Sequence, residues 1–118
     1  MSCKIKNNYG TISIENEVVA RIAGLCAMEC YGVVGMAAKS VKDGIVHLLK
    51  LENLTRGVNL SVNDKGVSID LHIIVEYGTN ITAICESLMS AVKYKVEFSC
   101  GLNIAKLNVF VEGLRVDG

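Results

Sequence analysis

The sequence has no proline, no tryptophan, no excess of either charge and no long apolar run. Lysine and arginine together number 12, as do aspartate and glutamate, so the formal net charge is zero. A nucleic-acid-binding protein normally carries a basic excess, because neutralising phosphates supplies much of its affinity. A membrane-spanning helix needs about 18 consecutive apolar residues, and no stretch of this sequence comes near that length. These absences argue against nucleic acid as a partner and against direct membrane insertion, whereas zero net charge favours self-association.

The first ten residues, MSCKIKNNYG, lack the apolar core of a signal peptide. The five cysteines are odd in number and irregularly spaced, which in a chain without an export signal predicts reduced thiols. We therefore expect the protein to stay in the cytosol. Its length and its hydrophobic fraction of 51% predict a single folded domain over residues 1–118, with residues 1–8 as a flexible N-terminus.

Residues 67–113 show the clearest pattern in the chain, which is strand, helix, strand. Between Val67 and Tyr77, apolar residues alternate with mostly polar ones, and a period of two sends alternate side chains to opposite faces of a sheet. Similar alternation at residues 9–14, 58–63 and 103–114 predicts three more strands. Asn63–Gly66 supplies turn residues, so the strands at 58–63 and 67–77 are predicted to form a hairpin.

Two long helices follow from apolar residues at helical spacing. The first is predicted to begin at Asn16 as the N-cap and to end near Cys30. The second is predicted to begin after Asn80 and to end at Gly101. The predicted core stripe of the first is Val18, Val19, Ile22, Leu25 and Cys26, and that of the second is Ile81, Ile84, Cys85, Leu88, Val92 and Val96.

The element order is β-α-(α)-β-β-α-β, where the bracketed helix is a short amphipathic segment read from Val41, Ile45, Leu48 and Leu49. Every strand is apolar on one side only, so both long helices must cover the same side. The sequence therefore predicts an α+β fold. It is a two-layer α/β sandwich whose four-stranded mixed sheet carries two main helices on one face and is open on the other.

The residue types that perform catalysis or bind metals do not form a recognisable constellation. Cys26 and Cys30 share a helix face, but a zinc site needs about four ligands, and neither His47 nor His72 flanks the pair. A catalytic Cys–His pair needs hydrogen-bond reach, and no thiol or serine is evidently aimed at His72. We predict no catalytic, cofactor-binding or metal-binding residues, and we predict that the protein is not an enzyme.

A candidate interaction face lies on the open side of the predicted sheet. Ile74 and Phe110 both fall on this otherwise polar side, and they form an apolar spot if their strands are neighbours. An exposed apolar patch with a polar rim indicates a contact site, although single apolar residues on a surface are also ordinary. The candidate face consists of Asp70, His72, Ile74, Glu76, Asn108, Phe110 and Glu112.

The segment Gly32-Val33-Val34-Gly35 matches the G-x-x-G loop that clamps nucleic acid between two helices in KH domains. Two valines in the middle cannot pair with phosphate, so a tight apolar connection is the simpler interpretation. A KH-like RNA-binding module is the alternative function.

Several segments resemble the alkaline shock protein family, also called the envelope stress response family. They are GTISI (10–14), EVVARIA (17–23), GVVG (32–35), VSIDLHIIVEYG (67–78), GL (101–102) and LNVFVEG (107–113). The resemblance extends over roughly residues 9–116. The long strand motif followed by Tyr-Gly is its most specific part.

The resemblance implies a small bacterial cytosolic protein without catalytic residues or cofactors. Some relatives self-assemble at the inner face of the membrane through a membrane-anchored partner, and others are associated with membrane-lipid metabolism. This chain resembles the short branch that is often encoded beside a fatty acid kinase-like protein. We therefore expect a non-catalytic interaction or scaffold protein in cell-envelope stress or membrane-lipid homeostasis. Its expected partners are a second copy, a membrane-anchored protein that recruits it to the inner face, or a fatty acid kinase-like protein.

Overall fold

The computed structural model describes residues 2–39, 46–48 and 55–116. Along these residues there are seven strands and two helices. The helices are α1 (Asn16–Met28) and α2 (Ile81–Cys100). The strands are β1 (Ser2–Asn7), β2 (Gly10–Glu15), β3 (Val33–Lys39), β4 (Val46–Leu48), β5 (Val58–Asn63), β6 (Gly66–Glu76) and β7 (Ile104–Arg115).

Strand β6 is the centre of the main sheet. Strand β5 runs antiparallel to its first half and β3 runs antiparallel to its last residues, while β4 pairs with β3. Strand β7 runs parallel to β6 over nearly its whole length. Since β7 pairs with the same β6 residues as β5 and β3 do, it lies along one edge and those two share the opposite edge. Helix α2 therefore connects two adjacent parallel strands, β6 and β7. The sequence pattern did not predict whether these two strands were adjacent.

One face of β6 carries the core. Its alternate residues from Val67 to Val75 are at most 2% exposed, and both helices pack their buried residues on this side. Burying one apolar side chain of this size contributes about 1.5–3 kcal/mol. An antiparallel or mixed sheet covered on one side can leave the other side in water. The predicted α+β class, with a mixed sheet and two helices on one face, is confirmed.

Helix α2 begins and ends at the predicted residues. Asn80 Oδ1 accepts a hydrogen bond from the Ala83 N–H at 3.1 Å, which is the usual N-cap contact. Gly101 follows the last turn with φ of 69°, and its N–H donates to the Glu97 carbonyl. Ile81, predicted to be in the core, is exposed. The buried residues of α2 are Ile84, Leu88, Val92, Val96 and Cys100.

Helix α1 buries a different stripe from the one predicted. Its buried residues are mostly small, which allows close approach to the sheet and to α2: Val19, Ala20, Ala23, Gly24 and Ala27. Val18 and Leu25, both predicted to be in the core, remain 48% and 40% exposed. The predicted Asn16 cap is also wrong. Glu15 occupies the N-cap position without a side-chain cap, and Asn16 Oδ1 instead accepts a hydrogen bond from Cys3 Sγ.

The N-terminal residues form a hairpin outside the main sheet. Strands β1 and β2 pair antiparallel from Ser2 opposite Glu15 to Asn7 opposite Gly10. Residues 1–8, expected to be a flexible N-terminus, thus include a paired strand. The strand predicted at 9–14 exists as β2, but it joins this hairpin, and the unpredicted β3 takes its place in the main sheet.

The segment between β3 and β5 also differs from its prediction. The amphipathic helix expected over residues 41–51 falls largely outside the described residues. Where the structure does describe it, residues 46–48 form strand β4 against β3, so the helical prediction is wrong there. A short apolar run does not distinguish a helix from a strand by spacing alone.

Gly32, which joins α1 to β3, combines a left-handed backbone with close packing. Its φ is +85°, and a Cβ at this position would overlap the Ile84 side chain of α2. We expect Gly32→Ala to lower the free energy of unfolding by about 2–5 kcal/mol. This figure adds about 1–2 kcal/mol for the left-handed backbone to about 1–3 kcal/mol for overpacking. Urea unfolding measures the change.

Gly78→Ala is the matched control, because Gly78 has φ of +90° and nothing within 4 Å of a built Cβ. It carries only the backbone cost, about 1–2 kcal/mol. Equal losses at the two glycines would contradict the packing of Gly32 against Ile84.

Candidate functional site

The pairing of β6 with β7 brings the predicted interaction face together. Asp70 lies opposite Asn108, and His72 lies opposite Phe110. The register then shifts, which leaves Ile74 opposite a glycine. We call the residues that share this surface, with one added from β5, the open-face cluster: Asn59, Asp70, His72, Ile74, Asn108, Phe110 and Glu112.

An aromatic stack forms the centre of the open-face cluster. The rings of His72 and Phe110 lie 5.0 Å apart between centroids and are inclined by 15°. The His72 side chain is 13% exposed, whereas Phe110 is 41% exposed. Phe110 therefore shields the imidazole from water and presents an apolar surface of its own. Ile74 extends this surface along β6.

Amide side chains hold the polar rim in place. Asn108 Nδ2 donates to Asp70 Oδ1 at 2.9 Å, directly across the β6–β7 pair. Asn59 Nδ2 lies 3.1 Å from His72 Nε2. Each amide thus fixes a titratable side chain of the central strand from a neighbouring strand. The rim is preorganised on both edges of β6, which lowers the entropy that binding must overcome.

One ring nitrogen of His72 has no hydrogen-bond partner. An amide NH₂ only donates, so Nε2 accepts from Asn59 and the proton of the neutral ring is on Nδ1. Nδ1 is buried, and the nearest carboxylate oxygen, Glu112 Oε1, is 3.7 Å away, beyond hydrogen-bond distance. A buried donor without an acceptor costs about 1–3 kcal/mol. The cluster therefore gains stability if a small movement brings Glu112 Oε1 within hydrogen-bond distance of Nδ1.

The open-face cluster differs from the predicted face at two residues. Glu76 lies at the exposed end of β6, where the register places it opposite Arg115 and away from the stack. Asn59 was missed, although the hairpin register sets it opposite Asp70. The turn at Asn63–Gly66 fixes that register, so counting back from the turn identifies Asn59 from the sequence.

The thiols in the described residues are not activated. Burial raises the pKa of all five, which are Cys3, Cys26, Cys30, Cys85 and Cys100. At Cys26, the charges of Cys30 and Glu29 raise the pKa further, and Lys95 opposes them. A nucleophilic cysteine needs a lowered pKa, because the thiolate is the reactive form.

Neither the metal-binding geometry nor the groove at the start of α2 suggests a reaction. Among residues 2–39, 46–48 and 55–116, no three histidine, cysteine or acidic side chains are placed to hold a metal ion. A groove of about 380 Å³ lies at the start of α2, beside Tyr31, Asn80 and Ile84. It contains hydroxyl groups but no carboxylate, imidazole or amine to act as an acid or base.

The glycine pair considered for a KH loop does not join two helices. Gly32 follows α1 in a turn, whereas Val33 and Gly35 already belong to strand β3 and pair with β6. The phosphate-clamping geometry of a KH domain needs a helix on each side of the loop. Val33 packs against the core, as the tight-connection interpretation expected.

The fold is that of a small α+β domain, and the described residues include a partly apolar surface with a polar rim on the open side of its sheet. The chain belongs to the alkaline shock protein family, described as having a cell envelope-related function, and the model of that family matches residues 4–116. This match confirms the family resemblance read from the strand motifs. In the described part of the chain, no helix is long and apolar enough to cross a bilayer.

Individual relatives agree with this family. The chain is 43% identical to the uncharacterized protein YloU of Bacillus subtilis, with 98% of each chain covered. It is 36% identical to the uncharacterized protein Spy1614 of Streptococcus pyogenes, over 100% of this chain and 98% of that one. A stress response regulator gls24 homolog of Streptococcus pyogenes is 28% identical over 90% of this chain, which spans 59% of that protein's length. None of these names is that of an enzyme.

The raised pKa of the thiols predicts slow alkylation at neutral pH. Fewer thiolates are present at pH 7 than for an ordinary cysteine, so each thiol should react with iodoacetamide more slowly than free glutathione, and faster as the pH rises. Mass spectrometry of the labelled, folded protein measures the rates. Urea-unfolded protein is the control and should react at all five sites. One thiol that outpaces glutathione at pH 7 would contradict the assignment.

Proposed function

We propose that this protein is a non-catalytic interaction module in a cell-envelope process, and that its open-face cluster binds a protein partner. The His72–Phe110 stack is the observation that carries this proposal. It places a partly exposed aromatic ring in the middle of a polar surface that hydrogen bonds already hold in shape. Aromatic anchors with a polar rim are the usual composition of binding hot spots.

The charge of the cluster indicates the chemistry of the partner. Asp70 precedes the stacked pair along β6, and Glu112 follows it along β7. A partner that inserts an apolar side chain beside Phe110 and Ile74 therefore gains from lysine or arginine around it.

The envelope role follows from the family. Its description refers to the cell envelope, and some relatives are named as stress response regulator gls24 homologs. A membrane-anchored protein that displays a basic, apolar segment is the partner we favour. It would hold the domain at the inner face of the membrane. A fatty acid kinase-like protein is the other partner class that the family resemblance supports.

RNA binding is not favoured over this function. The formal net charge is zero, and Gly32 to Gly35 enters a strand, so the charge and the loop that a KH module uses are both absent from the described residues.

Phe110→Ser tests the proposed surface. The ring is 41% exposed, so its removal should leave the fold intact but weaken partner binding about tenfold or more, as loss of a central aromatic anchor does. The protein retained by the wild-type chain from its native cytosol is identified, purified and titrated against both forms by calorimetry.

Phe98→Ser is the matched control, because Phe98 is the chain's other phenylalanine and lies exposed on α2. Equal affinity of the wild type and the Phe110→Ser variant would exclude the open-face cluster as the binding surface. Turnover of a small substrate by the purified wild-type protein would refute the non-catalytic assignment itself.

A further inference from the structure

The outer surface of α2 carries an exposed aromatic pair of its own. Tyr94 and Phe98 are one helical turn apart, and their rings stack at 5.8 Å between centroids with an inclination of 11°. They remain 68% and 75% exposed, more than Phe110 on the opposite side of the molecule. Stacking at this spacing stabilises a helix by about 0.2–0.5 kcal/mol, but most of both rings stays in water.

Helix α1 adds apolar side chains to the same outer layer. Val18 and Leu25 are the residues expected in the core and found exposed. Helices α1 and α2 pack against each other, and Val18, Leu25, Tyr94 and Phe98 are all exposed on them. We call Val18, Leu25, Tyr94 and Phe98 the helix-face patch. It spans two helices, unlike the single apolar residues that are ordinary on surfaces.

We propose that the helix-face patch binds the same patch of a second copy of this chain, with the two α2 helices antiparallel across a two-fold axis. The interface lies on the helices and not on the sheet. It does not depend on the partner proposed for the open-face cluster.

The sequence of α2 is complementary to itself in this arrangement. Lys93-Tyr94 is followed one turn later by Glu97-Phe98, so the charge reverses while an aromatic ring recurs. A two-fold axis midway between the two rings brings Tyr94 of one copy to Phe98 of the other, and Lys93 to Glu97. Each contact then occurs twice, as in any isologous interface.

The flanking charges have definite positions in the free protein. Glu97 Oε2 accepts a hydrogen bond from the Ile104 N–H at 3.0 Å, which anchors the carboxylate and leaves its other oxygen for a lysine. Lys93 lies on the same flank, one turn before it, and is exposed. Glu97 is therefore a fixed acceptor and Lys93 an exposed donor. The two-fold axis places the Lys93 of each copy beside the Glu97 of the other.

The area of the patch is suited to a weak dimer. Its two rings expose roughly 300 Å², since an aromatic side chain of this kind has about 150–250 Å² in all. Stable interfaces cover about 800 Å² on each partner, and Val18, Leu25 and the flanking charged side chains supply part of the remainder. Zero formal net charge means that two copies do not repel at long range. We expect a dissociation constant on the order of micromolar.

Sedimentation equilibrium of the full chain, over about 1–200 µM, tests the proposal. The wild type should show a monomer–dimer equilibrium, and Phe98→Ser should raise its dissociation constant about tenfold or more. Phe110→Ser, the matched change on the sheet face, should leave the constant unchanged. A wild type that stays monomeric throughout, or a dimer that resists Phe98→Ser, overturns the proposal. Circular dichroism confirms that each variant is folded.

Lys93→Glu tests the antiparallel direction separately. The new carboxylate would face Glu97 of the other copy, so the dimer should weaken severalfold at low salt, and the difference should shrink as salt rises. An unchanged constant at low salt would contradict the antiparallel arrangement. Because Phe110→Ser reports on the partner and Phe98→Ser on the dimer, failure of one proposal is distinguishable from failure of the other.

Discussion

The burial of one face of β6 is the constraint on which the rest of the structure depends. This strand pairs with β3, β5 and β7, and its residues from Val67 to Val75 alternate between the side packed in the core and the side facing solvent. Because the side-chain period is two, a slip of one residue in any of these pairings would move an isoleucine or leucine from the core into water. The two helices can cover only the apolar side, so the register that secures the core also decides which residues are left outside. The open-face cluster is therefore a consequence of the core, since the same strand positions both.

That arrangement accounts for the kind of function the molecule supports. The side chains of the open-face cluster come from three strands of one rigid sheet, and amide hydrogen bonds from Asn59 and Asn108 hold their neighbours. Rigid elements keep a binding surface in shape but do not by themselves create a cleft that excludes water. The thiols, which in another setting would be nucleophiles, are buried or half-buried, and desolvation raises their pKa. The contact role that we propose for this surface is compatible with membership of an envelope-related family, and the relatives named above carry no enzyme names.

The sequence predicted most of this fold, and its errors have physical causes. The long strand, the hairpin turn and both ends of α2 follow from local signals, and all of them agree with the structure. The stripe of α1 could not be predicted from spacing, because the close approach of the sheet and α2 selects alanine and glycine over Val18 and Leu25. The pairing partner of β2 and the existence of β3 depend on contacts between distant segments, which a periodic pattern does not encode. For the same reason the pairing of β6 with β7, which places Phe110 opposite His72 and Ile74 opposite Gly113, could not be predicted from the sequence. Asn59 is the one missed residue that the sequence could have identified, because the hairpin register places it opposite Asp70.

The central claim is that one side of the sheet is left uncovered so that a partner can cover it. Hydroxyl-radical footprinting of the two phenylalanines tests this most directly, because Phe110 lies on the sheet face and Phe98 on the helix face. Both rings should be oxidised in the free protein at low concentration, where copies do not associate. With saturating partner, the account predicts that oxidation of Phe110 falls sharply. Phe110 labelled to the same extent with and without bound partner would contradict it.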